Sequence, residues 1–182
     1  MKSNRFALFA LIMVALVGLA ACGSNSTSKT EGDVFLTDSV PIAPTSVDMA
    51  TSGDVVIPNM TISSHAKSQT AILSTQDDVN LTQLVVTCTR TDGGTVASPQ
   101  WTNSVQLYVP AGGSVTVQNY PIFPAEYFQQ PPLNQLLFPN GTDKETGNSN
   151  IRQDLHMTIY GKEISGKNVS LSFDLTLNFY YQ

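Results

Sequence analysis

The chain has 182 residues, a formal charge of -5 and 41% apolar residues. That is enough Val, Ile, Leu and Phe to exclude wholesale disorder, and the length suits one compact core with a leader. Beyond position 21 there are seven basic and fourteen acidic residues, a charge of -7, so the remainder repels phosphate backbones. Nucleic acid is not an expected partner.

In chain order, Lys2 and Arg5 form a short basic segment ahead of the nearly unbroken apolar run from Phe6 to Val17. The run falls short of the roughly 20 residues a spanning helix needs and reads as the apolar core of a secretion leader. Gly18 weakens the helix, and Leu19-Ala20-Ala21 then sets small residues before Cys22. This segment resembles a bacterial lipobox. The resemblance implies that residues 1–21 are a signal peptide and that Cys22 is acylated, becoming the first residue of the mature protein and its membrane anchor. An ordinary secretory leader is the alternative. Several acyl chains on one residue hold a protein stably where a single chain does not. Gly23, where aspartate would retain the protein at the inner membrane, implies the outer membrane in a cell that has two.

Residues 22–53 read as a lipidated N-terminus followed by a connection. Gly23 to Asp33 is polar without an apolar period and is expected to be a flexible tether, with an average reach of roughly 18 Å. Val34-Phe35-Leu36 suits a short strand, and Pro41 and Pro44 then favour an extended connection from Asp38 to Gly53.

The folded domain is expected over residues 54–182. Asp54 to Ile62 is a strand whose Pro58 marks an edge or a bulge, and Leu81 to Arg90 is a strand with Leu84, Val86 and Cys88 on one face. Thr91-Asp92-Gly93-Gly94 is expected to close a hairpin onto a less regular strand from Thr95 to Trp101. Ser104 to Val109 and Ser114 to Asn119 alternate on either side of Pro110-Ala111-Gly112-Gly113, which predicts a second hairpin. Pro121, Pro124, Pro131 and Pro132 exclude a long helix, leaving room for a helical turn at Leu133 to Leu137. After a polar loop from Phe138 to Asn150, Ile151 to Gly161 puts Leu155, Met157 and Ile159 on one face. Past a turn at Ser165-Gly166, Val169 to Tyr181 alternates apolar and polar residues throughout.

About seven short strands with turns between them predict an all-β, antiparallel β-sandwich. Order, size and secretion context resemble the immunoglobulin-like domains of bacterial lipoproteins, from about Val55 to Tyr181. A membrane β-barrel fits less well, because segments such as Ser104 to Val109 are shorter than the roughly ten residues that span. With Cys22 lipidated, Cys88 has no intramolecular partner and reads as a buried thiol acting as a small hydrophobe.

Chemistry-bearing motifs are sparse. His65 and His156 stand in no metal-binding spacing, and there is no nucleophile elbow, phosphate loop or haem-attachment motif, so neither a cofactor nor an enzyme is expected. His156, between Leu155 and Met157, should point away from the core. Asp143 and Glu145 share a loop with Asn140, Asn148 and Asn150, a donor set suited to calcium in a spacing that matches no EF-hand; they are weak metal candidates. Trp101, Tyr120, Tyr127 and Phe128 are the candidate ligand-binding residues, because exposed aromatic faces stack on sugars or anchor interfaces, with Tyr108 and Tyr180 as further aromatics on strands. The expected function is a lipid-anchored, non-enzymatic interaction or assembly module of the cell envelope, its partner an envelope protein. A glycan-binding module and a hydrolase built on His156 with a nearby acid are the alternatives.

Overall fold

A computed structural model describes residues 26–39 and 45–182. Nine strands run through them: β1 Thr27–Thr30, β2 Val34–Asp38, β3 Ser46–Asp48, β4 Val55–Ala66, β5 Val79–Arg90, β6 Trp101–Val109, β7 Ser114–Phe123, β8 Asn150–Glu163 and β9 Asn168–Tyr180. One sheet has the order β1-β9-β8-β5-β6, with β3 beside the far end of β9, and the other has the order β2-β4-β7. Every pairing is antiparallel except β3 with β9. The chain is an all-β sandwich. Its connectivity follows the immunoglobulin pattern, with β2, β4 and β7 in the places of strands A, B and E and β9, β8, β5 and β6 in those of G, F, C and C′. Among the described residues no strand lies beyond β7, where D would pair.

The alternation of β9 sets the inner face. Val169, Leu171, Phe173, Leu177 and Phe179 are buried and meet Ile151, Leu155, Met157 and Ile159 of β8. Ile57, Met60 and Ile62 of β4, with Val117 and Phe123 of β7, close the core from the second sheet. Each such side chain contributes roughly 1.5–3 kcal/mol by leaving water.

Four local expectations are corrected. Thr27–Thr30 is not tether but an edge strand in register with Val169–Ser172, and β2 pairs with β4 from Ile62 to Ala66. Its polar sequence hides it, since an edge strand is held by backbone bonds; Ser28 adds a hydroxyl that accepts the Leu36 N–H at 3.0 Å. Ser46–Asp48, within the expected extended connection, is likewise a strand, and Val47 is buried. Pro58 lies on the middle strand of its sheet, but in a stretch of β4 paired only with β7 among the described residues.

The fourth correction concerns both predicted hairpins. Residues 91–100 form a loop rather than a tight turn, and β6 returns only along Val79–Val86 of β5. The Pro110–Gly113 turn carries the chain from one sheet to the other, so β6 and β7 are not partners. The Asp78 carboxylate accepts the Ala111 N–H and the Tyr108 hydroxyl on the first sheet, while the Gly113 carbonyl accepts the Ser64 N–H on the second. Alternation fixes which face of a strand is apolar, not which neighbour it pairs with.

One irregularity positions the candidate site. Leu81 and Gln83 of β5 lie opposite Gly161 and Tyr160, so two β5 residues answer one step of β8. This bulge switches the buried parity from Val79 and Leu81 to Leu84 and Val86. At Gly161 a Cβ would come within 2.3 Å of the Asn80 carbonyl oxygen, so only glycine fits the crossing. Gly161→Ala is expected to lower stability by about 1–3 kcal/mol through backbone displacement, read as a lower urea midpoint; an unchanged midpoint would show that the bulge tolerates a side chain.

Candidate binding groove on the outer sheet face

The outer face of the larger sheet is built in rows across strands. Lys29, Ser170 and Tyr160 form one row, and Asn168, Lys162, Asn80 and Tyr108 another. Apart from Tyr108, these rows line an open groove of about 980 Å³, bounded by β1 and by Ile164 in the β8–β9 turn. Tyr160 is 45% exposed and Ile164 47%. The groove therefore offers a tyrosine ring beside an aliphatic side chain, the amides of Asn80 and Asn168, hydroxyls of Thr82 and Ser170, and two ammonium groups.

The charges are not equally available. Glu31 uses Oε2 to accept the backbone N–H of Asn168 at 3.2 Å and its side-chain amide at 2.9 Å. Glu163 is buried beneath the β1–β2 turn, where it accepts the Ser165 hydroxyl at 2.8 Å and the Val34 N–H at 3.4 Å. A Cβ at Gly32 would overlap its carboxylate, so glycine lets the turn pass. Lys29 and Lys162 make no ion pair among the described residues.

The aromatics favoured by sequence lie elsewhere. Phe128 is buried, 6.0 Å from Phe123 and 6.2 Å from Phe179 between ring centroids, and cannot present a face to a ligand. Tyr127 packs edge-on to Phe123 and donates its hydroxyl to the Gln100 carbonyl at 3.2 Å. Tyr120 is half-buried, its hydroxyl donating to the Ser104 carbonyl at 3.5 Å and accepting from the Asn103 amide at 3.4 Å. Burial pushes its pKa up. Trp101 is half-buried against the core from the inner face of β6. The four cluster along the β6–β7 side and bury a prolyl-rich cap rather than form an open platform. Tyr160 was available to sequence reasoning, as the polar-side neighbour of Ile159, but one outward tyrosine carries no signal until β1, β9 and β5 are placed around it.

Asp143 and Glu145, the metal candidates of the sequence, each turn one carboxylate oxygen, Oδ2 and Oε2, to the guanidinium of Arg90. Arg90, 1% exposed at its side chain, lies 2.7 Å from Asp92, 2.9 Å from Asp143 and 3.7 Å from Glu145. Glu145 also accepts the Thr95 hydroxyl and the N–H groups of Thr95 and Val96, which lowers its pKa. This cluster ties residues 91–96 and 143–146 to the end of the sheet. Its position explains why Asp92-Gly93 does not act as a simple hairpin turn.

His156 points outward as expected and is not alone. Its Nδ1 lies 2.8 Å from Asp174 Oδ1 and its Nε2 2.8 Å from Thr89 Oγ1. The order hydroxyl, imidazole, carboxylate is that of an activated nucleophile. The histidine and the aspartate are nearly half exposed, however, and none of the three residues lines the groove. His65 bonds Thr37 at 2.8 Å. Cys88 is half-buried against the core, and burial pushes its thiol up to about 12, so the thiolate needed for reactivity is scarce near neutrality. Cys22 lies outside the described residues.

Burial alone would raise the Asp143 pKa, but Arg90 and the hydroxyl and N–H of Thr146 outweigh it and hold the carboxyl down to about 2. Its unfolded value is about 3.9. Stability from this group is therefore complete above that value and is lost as pH falls toward 2, amounting to roughly 2–3 kcal/mol. Acid titration of the urea midpoint is expected to fall over this window, and Asp143→Asn to flatten that part of the fall; an equal slope in both proteins would remove Asp143 from the account.

The chain matches no protein-family model and shows no significant similarity to any curated protein.

Proposed function

We propose that this protein is a lipid-anchored, non-enzymatic binding module of the bacterial cell envelope, carried at Cys22 and working through the outer face of its larger sheet. The observation that carries this reading is the groove of about 980 Å³ beside Tyr160, lined by amides, hydroxyls and two ammonium groups that make no ion pair among the described residues. The lipobox supports the anchor and, with Gly23 after the cysteine, the outer membrane in a cell that has two. Since β1 starts at Thr27, the five residues 22–26 reach at most about 18 Å, which keeps β1 and the groove near the bilayer.

Feeding cells a fatty-acid analogue is expected to label the wild-type protein and not Cys22→Ser; label retained on the variant would refute the anchor. A photo-crosslinking residue at position 160 is expected to capture envelope material that the same residue at Asn59, on the second sheet, does not. Equal capture at both positions would dismiss the groove as the working surface.

The hydrogen-bond chain from Thr89 through His156 to Asp174 favours a second reading, an envelope hydrolase. Its nucleophile would be the Thr89 hydroxyl with His156 as base. Cleavage of p-nitrophenyl acetate above background, abolished in both Thr89→Val and His156→Ala, would establish it. A rate unchanged by either substitution is the outcome expected from an open sheet face where water screens the three groups.

A further inference from the structure

We infer that the groove binds an acidic sugar chain, one ring stacked on Tyr160 and an anionic substituent held between the ammonium groups of Lys29 and Lys162. The inference rests on the binding-module reading and adds the ligand class to it. Three features of the lining converge. Tyr160 gives an exposed ring face of the kind that covers the C–H face of a pyranose, and Ile164 adds apolar surface farther along the lining. Asn80, Asn168, Thr82 and Ser170 supply donors and acceptors at the margins of that surface, matching the vicinal hydroxyls of a sugar more closely than the sparse polar groups of a lipid chain.

The charge distribution selects an acidic chain over a neutral one. Seven basic residues follow position 21, and four of them, Lys29, Lys67, Lys162 and Lys167, gather at this end of the sandwich. Lys67 is drawn to the Thr30 carbonyl at 2.9 Å and Lys167 to Asp33 at 3.0 Å, which leaves Lys29 and Lys162 as the cations facing the groove. The two carboxylates beside them are committed, Glu31 to Asn168 and Glu163 to Ser165 and Val34. On a domain of charge -7, the lining is formally neutral, since Glu31 and Glu163 keep their charges beside Lys29 and Lys162, and the two lysines are the groups there that lack an ion pair among the described residues and can receive a carboxylate or phosphate. Thr82, which faces outward with Asn80 just before the parity changes at the bulge, completes the lining on the β5 side.

The test is calorimetric titration of the whole chain in detergent micelles with three probes: a hexamer of β-1,4-linked glucuronate, the matching glucose hexamer, and hexaglutamate. The glucuronate hexamer is expected to bind, with affinity falling about five- to tenfold between 50 and 300 mM salt. Lys29→Gln and Lys162→Gln should each weaken it about fivefold, and Tyr160→Ala about tenfold with Tyr160→Phe restoring most of the loss. Equal binding of the glucose hexamer, equal binding of hexaglutamate, or affinity indifferent to the lysine substitutions would each overturn the assignment. So would the absence of binding by all three. If crosslinking at position 160 still captures envelope material in that last case, the groove remains a binding surface and the sugar assignment alone fails.

Discussion

The structure turns on the bulge where Thr82 and Gln83 of β5 face the single step from Gly161 to Tyr160 on β8. A regular ladder would carry the parity of Val79 and Leu81 onward and send Leu84 and Val86 into solvent. The extra residue repairs this and keeps Leu84 and Val86 in the core along with Val79 and Leu81. It also brings the Asn80 carbonyl against Gly161 so closely that no Cβ fits, and it is there that the outer face becomes concave. The same backbone device thus completes the core on one side and shapes the groove on the other.

A second constraint closes the opposite end. Arg90 is withdrawn from water and answered by Asp92, Asp143 and Glu145, each of which also accepts from nearby N–H or hydroxyl donors. Burial disfavours the charged guanidinium, but the hydrogen bonds it donates to Asp92 and Asp143 outweigh this and raise the pKa. Breaking such a cluster by removing one partner leaves an uncompensated buried charge, so long loops that have little apolar surface of their own are fixed by it. The acidity of the domain is partly spent here. Four of its seven cations, Lys29, Lys67, Lys162 and Lys167, lie at the groove end, and Lys29 and Lys162 line the groove itself.

The outer face between these ends is polar in a regular way. Thr158 meets Ser172 at 2.9 Å, Asp154 accepts the Thr176 hydroxyl at 2.6 Å, and His156 bridges Thr89 and Asp174. Cross-strand pairs of this kind stabilise a sheet by a few tenths of a kcal/mol to about 1 kcal/mol each and keep the face wet. They account for the histidine without requiring catalysis. The groove differs from them in holding two lysines, Lys29 and Lys162, that make no ion pair among the described residues.

The sequence by itself determined the sandwich, the inner faces of β8 and β9, the β8–β9 turn and the outward direction of His156, because a period of two records which side of a strand meets the core. It also carries Leu19-Ala20-Ala21-Cys22, the segment on which the proposed anchor rests, a local signal that needs no fold. It did not reveal β1, whose Thr-Ser-Lys-Thr has no apolar face to record, nor the crossing between sheets at Pro110–Gly113, since alternation is silent about partners. Tertiary structure decided the rest. Phe128 and Tyr127 became core and cap because Phe123 and Phe179 are brought against them, Asp143 and Glu145 became partners of an arginine some fifty residues away, and Lys29, Tyr160 and Lys162 became neighbours only because β1 docks on β9 beside β8. A binding surface assembled from rows across strands has no contiguous trace in the chain, and long-range pairing is what writes it.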